Sequence, residues 1–155
     1  MTHFKIEVSI ERDVRRDVCA MAYESWCCNP YFCSMELTTY DRLGEDNLRL
    51  MVDRFYDLVF SHPQISRLFK TDKALIKEKQ RLFLTQFFGG PDLYSQQYGH
   101  PRMRARHMPH AIAEEDAVAW LQCMSQAVHS LDIEESLKDE MMKRFIPTAM
   151  FMVNS

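Results

Sequence analysis

From Met35 onward, hydrophobic positions recur at the three-to-four-residue interval of an α-helix; this rhythm predicts a helical domain. Thr38 and Thr39 can cap a short first helix that ends near Leu43-Gly44. The next runs from about Glu45 to Ser61, with Leu48, Val52, Phe55, Tyr56 and Val59 on one face and His62-Pro63 as its stop. Thr71 or Asp72 then caps a helix reaching Phe88, broken by Gly89-Gly90-Pro91, whose stripe holds Ile76, Gln80, Phe83, Leu84 and Phe87. A long linker carrying Tyr94, Tyr98 and Gly99 leads to a segment bracketed by Pro101 and Pro109, with room for about two helical turns. Beyond it, Glu114 to Leu131 carries Ala117, Trp120, Leu121, Met124 and Val128 on one face. Asp132 and Glu135 are spaced as a capping box for a last helix bearing Ile133, Leu137, Met141, Phe145, Ala149 and Met152, which Pro147 is expected to kink or interrupt.

The first 35 residues read differently. Phe4, Ile6, Val8 and Ile10 alternate with polar residues, which predicts a short strand, and Asp13 to Trp26 is compatible with a helix. Cys19, Cys27, Cys28 and Cys33 gather around Asn29-Pro30. Zinc or a redox function is open to four cysteines, although the adjacent Cys27-Cys28 pair fits a zinc knuckle poorly. Two plainer alternatives are an accessory extension with reduced thiols and a translation start at Met35. The expected organisation is an extension over 1–35 and one domain over 36–155.

Composition narrows the function. The chain has 155 residues, 46% of them hydrophobic, with four glycines and six prolines, ordinary for one soluble domain rich in helix. Its net charge of -3 argues against a nucleic-acid binder. No window approaches the apolar length of a membrane span, and the N-terminus lacks the pattern of a secretory signal. An odd count of five cysteines fits reduced thiols in the cytoplasm.

The stretch YGHPRMRARHMPH, residues 98–110, holds the candidate chemistry. His107 can offer an imidazole to a metal, and Arg102, Arg104 and Arg106 beside it can pair with carboxylates. A metal-containing anion suits both; the plain alternative is a solvated surface histidine. Three apolar stripes meanwhile carry a donor where an aliphatic side chain would be cheaper: Tyr56, Gln80 and Trp120. A buried polar group without a partner costs about 1–3 kcal/mol. Each alone is readily an ordinary half-buried residue, but together they outline a cavity lined by donors and facing whatever His107 holds.

These residues lie within VDRFYDLV, SHPQISRLF, FLTQFFGGPDLY, YGHPRMRARHMP and AWLQCM. From about Met35 to Ser155 the chain resembles the group II truncated haemoglobins, short bacterial and plant globins with an all-α, two-over-two helical sandwich. The resemblance implies a haem b cofactor with His107 as the proximal iron ligand. It implies that Tyr56, Gln80 and Trp120 hydrogen-bond a diatomic ligand and that Ile76 stands where vertebrate globins carry their distal histidine. It also implies that Phe69 packs on the haem face, that Phe83 and Leu84 wall the cavity, that Tyr94 contacts the cofactor, and that Arg106 pairs with a propionate. The extension and the Leu43-Gly44-Glu45 hinge, a partial match to the glycine motif of other truncated globins, depart from the family's pattern.

A histidine-ligated haem leaves one coordination position open, and distal polarity then governs ligand behaviour. The expected ligands are dioxygen, carbon monoxide and nitric oxide, with dioxygen released slowly. Three uses follow as alternatives: a dioxygen-binding module, a nitric-oxide dioxygenase or peroxidase served by a separate reductase, and a haem/thiol redox sensor. A monomer or a homodimer, with neither nucleic acid nor membrane as partner, completes the expectation.

Overall fold

Thr38 starts the helical domain by a reciprocal cap. Its hydroxyl accepts the Asp41 N–H at 3.1 Å and its own N–H donates to the Asp41 carboxylate at 3.0 Å, satisfying two groups that a helix start leaves open. The computed structural model describes residues 36–155. The predicted strand around Phe4–Ile10, the run from Asp13 to Trp26 and the four upstream cysteines lie outside the described residues.

Among the described residues there are seven α-helices and one short 3₁₀ turn, with no strand. They are α1 (Thr39–Leu43), α2 (Glu45–Ser61), the 3₁₀ turn (Ser66–Leu68), α3 (Lys73–Phe87), α4 (Leu93–Tyr98), α5 (Met103–His107), α6 (Glu114–His129) and α7 (Glu135–Phe151). Helix α2 packs on α3 and α6, α6 packs on α7, and α1 crosses α7. This is an all-α globin-like sandwich of two helix pairs. Its core is the apolar stripe of α2 pressed against Met124, Ala127 and Val128 of α6 and Leu137, Met141 and Phe145 of α7.

The glycine pair shows how sequence fixes a joint. Gly89 has φ +91°, a conformation that side-chain-bearing residues avoid. A Cβ on Gly90 would sit 2.7 Å from the Tyr40 ring and 2.9 Å from the Thr85 carbonyl. The end of α3 therefore passes directly beneath Tyr40, and the Tyr40 N–H donates to the Phe88 carbonyl at 3.0 Å. Arg144 of α7 closes the same joint, donating to the Phe87 carbonyl and lying 4.8 Å over the Phe87 ring.

Several expectations need correction. The linker after Pro91 contains α4, held where the Gln86 side chain accepts the Ser95 N–H at 2.9 Å; no local periodicity announces so short a helix. The capping box of Asp132 and Glu135 does not form. Helix α7 begins after Glu134 without a side-chain cap, and Glu135 instead accepts from Lys138 at 2.7 Å. Helix α6 stops at His129, two residues before Leu131. Pro147 does not interrupt α7, which continues to Phe151. Of the expected α3 stripe, Leu84 is buried while Ile76, Gln80, Phe83 and Phe87 are half-buried. All four line a cavity, and Ile76, Phe83 and Phe87 also pack against the edge of the core.

Candidate functional site

The half-buried face of α3 is one wall of a cavity of about 700 Å³, within the size range of small-molecule and cofactor sites. The other walls come from Tyr56 of α2, the 3₁₀ turn with Phe69, Tyr94 of α4, α5, and the facing sides of α6 and α7. Nine of the residues singled out from the sequence line this one space: His107, Tyr56, Gln80, Trp120, Ile76, Phe69, Phe83, Tyr94 and Arg106. They come from five helices and one loop, separated by up to 64 positions between Tyr56 and Trp120.

The lining is held by aromatic packing. Phe69, Tyr56, Phe55, Trp120, Phe145, Phe87, Phe83 and Tyr94 form a continuous series of neighbouring rings, with centroids 5.0–6.0 Å apart. Such offset and edge contacts fix ring positions as well as burying area. The rigidity matters because two of the site's three donors, Tyr56 and Trp120, are carried on these rings.

Those donors have no other occupation. Every polar side-chain atom sealed from solvent among the described residues has a hydrogen-bond partner. Among the described residues the Tyr56 hydroxyl bonds no protein group, although the residue as a whole is 2% exposed; it opens onto the cavity that it lines. Burial pushes the Tyr56 phenol well above its ordinary value, so it remains protonated and able to donate at any ordinary pH. Gln80 and Trp120 also line the cavity, and among the described residues neither side chain bonds another protein group.

His107 ends α5. Its Nδ1 lies 2.7 Å from the Met103 carbonyl, one helical turn earlier. A carbonyl can only accept, so Nδ1 carries the hydrogen and Nε2 keeps a free lone pair. This second bond orients the ring as the outer partners of metal-ligating histidines do. Among the described residues, no group of three or more His, Cys, Asp and Glu side chains converges to hold a bare ion. His107 therefore offers one protein ligand, which suits a metal already held by a macrocycle.

Arg106 bridges its own neighbourhood, donating to the Pro101 carbonyl at 2.8 Å and to the Tyr98 carbonyl at 3.4 Å, with its guanidinium 5.8 Å over Tyr94. Lys70 and Lys79 add positive charge to the same lining. Arg102 stands apart as the N-cap of α5, in a left-handed conformation with φ 43°, and Arg104 turns away to the Phe151 carbonyl. The arginine run thus divides, and Arg106 is its member in the cavity wall.

One part of the wall was not legible in the sequence. Asp116, with its side chain 1% exposed, accepts from Arg67 at 2.8 and 2.7 Å, from Gln64 at 3.3 Å and from the Ala113 N–H at 3.1 Å. It ties the turn carrying Phe69 to the helix carrying Trp120. Burial alone would push its carboxyl up, but the bonds from Ala113, Gln64 and Arg67 outweigh that and hold it below the ordinary carboxylate value. Nothing local in the sequence pairs positions 67 and 116.

Known proteins resemble this arrangement. Residues 38–154 match the family described as bacterial-like globin. The group 2 truncated haemoglobin YjbI of Bacillus subtilis is 43% identical over 115 residues, which are 74% of this chain and 87% of the relative. A crystal structure of the group II truncated haemoglobin of Bacillus anthracis superposes with a TM-score of 0.75 at 38% identity, over 79% of this chain and 95% of that one. The X-ray structure of a truncated oxygen-avid haemoglobin from Bacillus subtilis gives 0.73 at 42% identity, over 76% of this chain and all of that one (100%). No helix among the described residues is long and apolar enough to cross a membrane.

Proposed function

The chain belongs to the bacterial-like globins, within the group 2 truncated haemoglobins, and is a haem globin that binds oxygen; from that membership we propose that His107 ligates the haem iron and that Tyr56, Gln80 and Trp120 retain the gas. The haem supplies an iron with a position open to a diatomic molecule. The chain supplies the rest. Met103 fixes the tautomer of His107 and leaves Nε2 free. Phe69, Phe83 and Tyr94 enclose the macrocycle, Ile76 contributes an apolar surface in place of a histidine, and Arg106 and Lys79 offer cations to its carboxylates. Cys123, the one described cysteine, does not line the cavity, which favours a non-covalently held haem b.

The observation that carries this reading is the hydroxyl of the buried Tyr56, protonated, open to the cavity and without a protein partner among the described residues. A donor left open in this way gains about 1–3 kcal/mol from an acceptor with partial negative charge. With Gln80 and Trp120 beside it, gas release is slow and delivery is a poor use. Long retention favours redox chemistry of the bound gas, with removal of nitric oxide as the reaction and a separate reductase as electron donor. Carbon monoxide and nitric oxide compete for the same position. The working domain is 36–155, with 1–35 as an extension, and the reducing cytoplasm is its setting.

The visible absorption spectrum of the ferrous protein, before and after oxygen, tests this. Wild type should show a strong Soret band and a persistent oxy form, and His107→Gly should abolish or strongly shift that band. A His107→Gly spectrum identical to wild type would sink the assignment of the ligand. Steady consumption of nitric oxide with a reductant present supports the enzymatic use, whereas a single turnover refutes it.

A further inference from the structure

The segment that follows α7 is stitched to the histidine loop by one carboxamide. The Asn154 Nδ2 donates to the His107 carbonyl at 3.2 Å, and its Oδ1 accepts the Ile112 N–H at 3.1 Å. The Asn154 backbone N–H donates to the Ile112 carbonyl at 3.0 Å, and Ser155 adds a second bond to that oxygen at 3.3 Å. Arg104, three residues before His107, holds the same segment from the other side. It donates to the Phe151 carbonyl and lies 4.9 Å over the Phe151 ring.

The position of the Asn154 contact is what gives it meaning. Helix α5 is five residues long, and so short a helix has little stability of its own. His107 is its last residue, and its carbonyl, one of those that a helix end leaves without an intrahelical donor, accepts the His110 N–H at 2.9 Å from the same loop and the Asn154 Nδ2 from outside it. The imidazole ring is already oriented through Met103, but that bond is internal to α5 and cannot fix where α5 stands. Asn154 can, because it belongs to the segment continuing from α7, whose Ala149 and Met152 form part of the cavity wall. Arg104 ties the middle of α5 to the end of α7, and Asn154 refers the backbone of His107 itself to the same segment.

We propose that Asn154 is a positioning residue for His107, holding the end of α5 at the distance and angle that its imidazole needs to reach the haem iron. This rests on the reading of His107 as the iron ligand. Without the Nδ2 donor, the His107 carbonyl loses one restraint and α5 gains freedom to withdraw, which weakens the iron–histidine bond and loosens the haem.

Asn154→Asp and Asn154→Ala, prepared as full-length haem-loaded proteins, separate this role from simple anchoring. Asp keeps the acceptor for the Ile112 N–H but sets a carboxylate oxygen against the His107 carbonyl in place of the donor; Ala removes both bonds and adds no charge. The measurements are the iron–histidine stretching band of the ferrous protein by resonance Raman and the rate of haem transfer to excess apomyoglobin. Melting temperature serves as the control. Both variants should shift the band to lower frequency and transfer haem about three- to tenfold faster, the loss expected for one neutral hydrogen bond. Unchanged band and transfer rate in both variants, even with a lowered melting temperature, overturn the proposal. So does an Asp variant that matches wild type while Ala does not, since the Ile112 bond would then carry the effect. A wild-type protein that takes up no haem fails earlier and overturns the haem reading itself.

Discussion

Tyr56 illustrates what one residue can and cannot disclose. Its place on the α2 stripe was plain from spacing, and the energetic oddity of a hydroxyl there pointed to a cavity. Tyr56→Phe should speed dioxygen release by more than tenfold, measured by stopped-flow displacement, which corresponds to about 1.4 kcal/mol or more. An unchanged rate would transfer the role to Gln80 or Trp120. Asp116 is the opposite case, a charge in the cavity wall whose partner lies 49 positions away and that local spacing gave no reason to select. Because its carboxyl is held below the ordinary value, its contribution to stability is complete above about pH 4 and is lost as pH falls through the depressed folded value. Asp116→Asn should therefore lower stability by about 1–3 kcal/mol at neutral pH, with the difference from wild type shrinking in acid. Thermal melts at several pH values check both parts.

Among elements, α2 and α3 were legible because each carries its own stop: His62-Pro63 for one and the glycine pair for the other. Helix α4 and the 3₁₀ turn were not, since six and three residues are too few for a period to register. The failed expectations at α7 share a cause, which is that tertiary packing overrides local signals. Leu131 is buried before the place where a cap was expected to matter, and Leu137, Met141 and Phe145 are buried after it. Pro147 sits inside α7, where it removes an N–H and crowds the carbonyl of Lys143. Pro147→Ala should consequently raise stability by about 1–2 kcal/mol, after allowance for the freer unfolded chain, seen as a higher midpoint in urea. At the α3 joint the sign reverses. Gly90→Ala drives a methyl into Tyr40 and the Thr85 carbonyl and should lower stability by about 1–3 kcal/mol.

At the scale of the molecule, the two halves of the described domain are unequally supported. Helices α2, α6 and α7 bury their stripes against one another, whereas most of the α3 stripe, along with Tyr94 and His107, meets the cavity. The helices could be read from the order of periodic segments and the sandwich from the family resemblance, but the cavity only from the misplaced donors Tyr56, Gln80 and Trp120, because periodicity marks a residue as shielded without saying by what. The distinction has a consequence for the life of the chain in the cell. Before the cofactor arrives, α2, α6 and α7 can assemble, while α3 to α5 lack the partner that would fill the space beneath them. Newly made chains should therefore be most vulnerable to proteases between Pro91 and Pro109, and hydrogen exchange should be fastest there, with both effects suppressed on loading. Supply of the cofactor would then set not only how much of this protein works but how much of it survives.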